Sequence, residues 1–244
     1  MKLSDHVEHI RTFIYKAYSN QFSRLGIGPN KELELERIPA EYHNKREKVD
    51  VLIKSHIDEV GSYEEAREKA LDELTFTLFN RLAAIKVMEA HQLFPPIVTK
   101  QAEHGDRSFG HKAWLEQHPE MRSEELEGLR SYFKDAFNQL GESIPLYHKN
   151  YPYALLPYVI DLNQIIDAFN AVEQDGQIED DIWESDDILG WLYESYNNAK
   201  KIAFKDSKKK TTYDKVSLQS QVYTPRWVVE FLVENSLGKL YLEM

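Results

Sequence analysis

The residues that could do chemistry gather near the C-terminal end. Tyr223, Thr224 and Pro225 precede the apolar run Trp227-Val-Val-Glu-Phe-Leu-Val233. A threonine hydroxyl can accept a bond from a free backbone N–H, and proline suits a first helical position because its missing donor would be unpaired there. The residue before a proline is also pushed out of the α region, which fits a cap. The pattern predicts a helix starting at Thr224 and ending at Gly238 in a left-handed C-cap. Free N–H groups at such a start attract a carboxylate or a phosphate.

Three other clusters carry chemical side chains. Lys200–Lys215 holds seven lysines against two aspartates, and Lys208, Lys209 and Lys210 are its candidate phosphate contacts. A solvated hinge is the plainer reading of that run. Glu173–Asp187 holds eight acidic residues, which could bind magnesium or serve acid–base chemistry. A solvated turn followed by the negative first turn of a helix explains them more simply. His104, His111 and His118 recur every seven residues. Two ligands one turn apart would need a spacing of four, so a polar loop is preferred to a metal site. No nucleophile elbow, phosphate loop or zinc motif is present.

The elements that must position these groups are nearly all helical. Val7, Ile10, Phe13, Ile14, Ala17, Tyr18 and Phe22 recur at three- and four-residue intervals and predict a helix over 4–25. Gly26 and Gly28-Pro29 stop it. Residues 30–37 suit an edge strand or an extended loop, and 39–60 a charged helix broken by Gly61. Ser62, with Glu64 and Glu65 behind it, starts a helix whose end is apolar nearly all round, placing it at the centre of the core. Residues 97–119 read as a polar loop. Helices follow over 124–140, capped by Gly141, then over 162–172 and 188–199. The expected fold class is mainly α: a helical domain over 1–200, a lysine-rich linker over 201–216, and the first helix of a further domain over 217–244.

With 244 residues, 42% hydrophobic and 29% charged, the chain can bury a core and is not of disordered composition. It has no cysteine, which excludes disulfides and thiolate metal sites and fits a cytoplasmic protein. No uncharged run reaches the length of a membrane span, so no membrane partner is expected. A net charge of -11 argues against a free-standing, non-specific DNA binder.

The pattern Gln-x-Tyr-Thr-Pro-x-Trp-Val-Val-x-Phe-Leu-Val-Glu-Asn-Ser-Leu-Gly resembles the segment just ahead of the catalytic domain in large adenine-specific DNA methyltransferases. These are the PglX-like enzymes of BREX phage-defence systems and the related type IIG restriction-modification enzymes. Phe79-Asn-Arg-Leu-Ala-Ala-Ile-Lys-Val-Met-Glu89, Tyr151-Pro-Tyr153 and Ile188-Leu-Gly-Trp-Leu-Tyr193 resemble further elements of that family in the same order. The resemblance covers most of the chain from about Leu71. It implies N6 methylation of adenine in DNA with S-adenosylmethionine as donor, on a base extruded from the duplex. It implies that 217–244 begins the truncated α/β methyltransferase domain, and that Tyr223, Thr224 and Pro225 lie against the methionine portion of the donor. Thr224 merely capping a helix, with Tyr223 packed in the core, stands beside that reading.

The family's Asp-Pro-Ala-Cys-Gly-Ser-Gly donor loop and Asn-Pro-Pro-Tyr adenine motif are both missing, and Pro95-Pro96 lacks the preceding asparagine. The expectation is therefore a front end that does not itself methylate, coupling a catalytic domain to DNA recognition or to other defence proteins. A stand-alone acidic helical inhibitor mimicking DNA charge is the alternative. Lysine and arginine interleaved with the acidic residues count against it.

Overall fold

One helix organises the molecule. In the computed structural model, which describes residues 1–179, 181–206 and 223–243, α3 (Tyr63–Ala90) runs through the centre. Ser62 caps it, its hydroxyl accepting from the Glu65 amide at 3.2 Å. Leu71, Leu74, Leu78, Phe79, Leu82 and Ile85 are all buried, on more than one face. Each such side chain contributes roughly 1.5–3 kcal/mol when fully buried.

Against α3 pack α1 (Leu3–Arg24) and α2 (His43–Val60). Gly61, at φ 80°, takes the left-handed conformation that ends α2 and lets the chain turn directly into α3. The segment between α1 and α2 is a loop with two short 3-10 turns, and Arg46 stitches it to the body. Its guanidinium donates to Leu25 O at 2.9 Å and pairs with Glu32 and Asp50.

After α3 the chain forms a two-stranded antiparallel hairpin, β1 (Lys100–Gln101) with β2 (Arg107–Ser108), in register Lys100 opposite Ser108. Next come α4 (Phe109–Gln117), α5 (Leu129–Gly141), α6 (Val159–Glu173) and α7 (Ile188–Asp206). α1 packs on α6 and α7 as well as on α3, so the first helix also ties the later elements to the core. The Met1 ammonium and the His6 imidazole both bond Asp175, at 2.7 and 2.8 Å. Those bonds, the terminal one foremost, hold the Asp175 carboxyl well below the usual carboxylate range. The last described stretch is α8 (Arg226–Val233), a π-helical turn (Glu234–Gly238) and α9 (Lys239–Glu243).

The mainly α expectation holds, with local corrections. The polar loop over 97–119 is a hairpin plus a capped helix, whose Ser108 hydroxyl accepts from the His111 amide at 3.2 Å. The helix expected from Glu124 begins at Leu129, behind Leu126, Glu127 and Gly128, which all have positive φ. Gly141 lies inside α5 rather than capping it. α7 continues to Asp206, into the segment read as the linker. Lysine is a good helix former and needs no apolar face to remain helical at a surface. Among the described residues no helix is long and apolar enough to cross a membrane.

Candidate functional site

The Tyr-Thr-Pro turn sits on the start of α7. The Tyr223 hydroxyl donates to Asp187 Oδ1 at 3.0 Å, and that bond raises the phenol pKa above its ordinary value. The ring lies over Gly190. A Cβ built there would come within 2.0 Å of the tyrosine Cε2, so any side chain at 190 would occupy the space of the ring. Arg226 adds an exposed pair to Asp186 at 3.6 Å and an i,i+4 bond to Glu230 at 3.0 Å. Asp186, Asp187 and Gly190, from the acidic stretch and the Gly-Trp motif, thus form a seat for the turn.

Two details of the expected turn are corrected. Pro225, not Thr224, is the N-cap of α8: its carbonyl accepts from Val228 N at 2.9 Å, and its ψ of 143° keeps it outside the helix. No threonine hydroxyl caps the helix, and Thr224 is exposed. Gly238 keeps a negative φ and lies in the π turn, so the helical path continues into α9. The Arg226 and Trp227 amides at the start of α8 have no intrahelical acceptor, and they are the donors an anionic group would meet at this end. Lys208, Lys209 and Lys210 lie outside the described residues.

The segment beyond the turn is uncovered. No residue of Arg226–Val233, Glu234–Gly238 or Lys239–Glu243 is buried. Trp227, Phe231, Leu232, Leu237, Leu240, Tyr241 and Leu242 are each more than half exposed. Isolated apolar side chains at a surface are ordinary, but a contiguous run on one helical segment marks an interaction surface.

The upstream motifs have architectural roles. Arg81, Lys86 and Glu89 project from α3, the first two roughly 140° apart around its axis. Arg81 is 1% exposed and donates to Leu146 O through Nε at 2.8 Å, with the rings of Phe137, Tyr147 and Tyr151 around its guanidinium. Lys86, 2% exposed, donates to Thr99 Oγ1 at 2.6 Å and Glu173 Oε2 at 2.8 Å, and lies over Trp183. The Glu89 carboxylate accepts from the amides of Ile97, Val98 and Thr99 and from the Thr99 hydroxyl. Tyr151 completes the aromatic cage around Arg81, and the Tyr153 hydroxyl meets His56 Nε2 at 3.0 Å. One helix therefore holds the 97–99 segment, the 145–151 connector and the end of α6 by buried charge.

The three histidines go to different places. His104 lies beside Phe109, His118 lies tilted against Trp114, and His111 is buried against Tyr132 with Nε2 on Glu127 O at 3.0 Å. Burial pushes the His111 imidazole pKa down. Among the described residues no group of three histidine or acidic side chains could hold a metal ion. Sequence reasoning missed the arch that receives His111. Its Leu126 (φ 48°) and Glu127 (φ 53°) are left-handed without glycine, and the Arg107–Glu127 ion pair ties the arch to β2.

Comparison with known proteins gives the same direction as the motifs. The chain is 25% identical over 216 residues to an adenine-specific methyltransferase PglX of Lacticaseibacillus casei (strain Zhang), covering 75% of this chain and 17% of that protein. It is 28% identical over 205 residues to an adenine-specific methyltransferase BrxX of Escherichia coli O9:H4 (strain HS), covering 74% of this chain and 16% of the relative. It is a distant relative of these enzymes. The chain spans about a sixth of the length of the curated relatives it matches. No family model matches it.

Proposed function

We propose that this chain is the N-terminal helical part of a DNA adenine-N6 methyltransferase of the restriction-modification or phage-defence kind. In this reading it places the start of an S-adenosylmethionine-dependent domain, the segment from 217 onward, on a rigid helical body. The observation that carries the reading is the seat at Gly190 and Asp187. It joins two of the motifs by which the chain resembles those enzymes, and it fixes the turn ahead of an uncovered apolar segment. The methyl donor is assigned to the catalytic domain, with Tyr223, Thr224 and Pro225 forming one wall of its site. DNA is the substrate, engaged by the whole enzyme, and Lys208, Lys209 and Lys210 are proposed to touch its phosphates.

The test has two arms. Calorimetric titration of the 244-residue chain with S-adenosylmethionine should give little or no heat, because one wall of a pocket binds weakly; tight binding would make the fragment self-sufficient and contradict the division of labour. Methyl transfer to duplex DNA should appear when residues 1–244 are followed by a domain carrying the donor loop and the adenine motif, and should fall when Tyr223 is changed to alanine. A reading frame supplying neither motif would end the proposal.

A further inference from the structure

We propose that the surface where the C-terminal end of α1, the first turns of α2 and α5, and the start of α6 meet is a binding site for a single phosphate group. Arg24 closes α1, Lys45 lies in the first turn of α2, Arg130 in the first turn of α5, and Tyr158 precedes α6. The Arg24 guanidinium stands 4.7 Å from the centre of the Tyr158 ring, and the Lys45 ammonium 5.3 Å from the same point. Arg130 is held in place by donation to Pro157 O at 2.8 Å and Leu156 O at 3.1 Å, the two carbonyls ahead of that tyrosine. Its charge acts on both Tyr158 and Lys45.

The crowding is the telling feature. Elsewhere in this acidic protein several buried or half-buried cations have carboxylates: Arg46 with Glu32 and Asp50, Lys86 with Glu173, Lys100 with Asp167, Arg107 with Glu127, while the buried Arg81 has three aromatic rings and a carbonyl instead. Among the ion pairs of the described residues, none involves Arg24, Lys45 or Arg130. Glu41 is close enough to influence Lys45 and Asp161 lies in the first turn of α6, yet neither closes on a cation of the cluster. Arg130 and the half-buried Lys45 repel each other, the exposed Arg24 shares their tyrosine, and an anion placed among them relieves that repulsion. The Tyr158 hydroxyl is buried beside Tyr42, so the tyrosine offers the cluster its ring rather than its hydroxyl.

The chemistry selects phosphate. Guanidinium groups bind its oxygens in bidentate fashion, and an ammonium adds a point charge. The start of α6 is not capped by the Tyr158 side chain, so its first-turn amides add positive potential. Because Arg24 and Lys45 already occupy the tyrosine ring, a base is not expected to stack there. The recognised group is the phosphate itself, whether free or in a nucleic-acid backbone. This site stands apart from the methyl-transfer reading and does not depend on it.

The experiment is a titration of the 244-residue chain at low salt with inorganic phosphate, and in parallel with a short duplex, following amide chemical shifts of residues 24, 45, 130 and 158. Arg24→Gln and Lys45→Gln, which remove no hydrogen bond from the fold, should each weaken phosphate binding roughly tenfold. Lys134→Gln, on the solvent face of α5, should leave it unchanged. Thermal melts in phosphate-free buffer check that the variants fold. A duplex that competes with phosphate and weakens in the same variants identifies a backbone phosphate; phosphate binding without competition identifies a free one. Absence of binding by the parent chain, or equal affinity in the Arg24→Gln/Lys45→Gln double variant, overturns the assignment.

Discussion

Replacing Gly190 with alanine separates two effects of opposite sign. Within α7, a glycine-to-alanine change lowers the backbone entropy of the unfolded chain and favours the helix by roughly 0.5–1 kcal/mol. At the seat, the new methyl would stand 2.0 Å from Cε2 and 2.3 Å from Cδ2 and Cζ of Tyr223, far inside any permitted contact. The ring must leave, and with it goes the bond to Asp187, a loss of about 1 kcal/mol for an ordinary hydrogen bond. The helical body should therefore unfold at an equal or slightly higher denaturant concentration. The turn should loosen, with its docking equilibrium constant falling on the order of five- to tenfold. Amide exchange resolves the two, with protection lost over residues 223–229 and kept in α1 and α3. Trypsin cleavage after Arg226 should accelerate in step. In a cycle with Tyr223→Phe, the second change should add little once the ring has been expelled. Unaltered protection of 223–229 in Gly190→Ala would refute the reasoning, because the turn would then be held by something other than this contact.

Other expectations concern the polar joints. Glu89→Gln keeps the shape but replaces a carboxylate that accepts from three amides and a hydroxyl, and should cost about 3 kcal/mol in urea unfolding. A loss below 1 kcal/mol would mean that segment 97–99 is held by its apolar contacts alone. For His111, burial favours the neutral imidazole in the folded chain. Its unfolded pKa is near 6.5, so its contribution is complete above that value and is lost as pH falls from there through the lowered folded pKa. His111→Phe should flatten the fall in stability that sets in below about pH 6.5; an unchanged slope would assign the acid sensitivity elsewhere.

The long helices were legible because a single physical cause fixes each of them. The periodic run from Val7 to Phe22 can bury only one face, and Ser62 behind Gly61 leaves little choice about where α3 begins. The corner after α3 was not legible, since Phe94-Pro-Pro signals only a break. What shapes the segment beyond it is a carboxylate eight residues upstream, and no local propensity reports that Glu89 will bind the amides of 97–99. The arch at Leu126 and Glu127 was hidden for a related reason. Left-handed leucine and glutamate carry no turn signature, and the contacts that fix them, Glu127 with Arg107 of β2 and the Glu127 carbonyl with His111, come from elsewhere in the chain. At the candidate site, the residues were found but their arrangement was not. Residue preferences put Thr224 at the cap and Pro225 at the first helical position, and the shift by one residue rests on the Pro225 ψ angle. The partnership of Gly190 with Tyr223 spans 33 positions of sequence and shows only in three dimensions.

The bond between the terminal ammonium and Asp175 has a practical corollary for anyone producing this protein. An affinity tag fused ahead of Met1 would convert that cation into a neutral amide with a single N–H, which cannot serve both Asp175 and Gln177. Purification handles should then be placed elsewhere or cleaved to restore the free amine, and acid tolerance measured on an N-terminally extended preparation should be lower than that of the chain with a free amine at Met1.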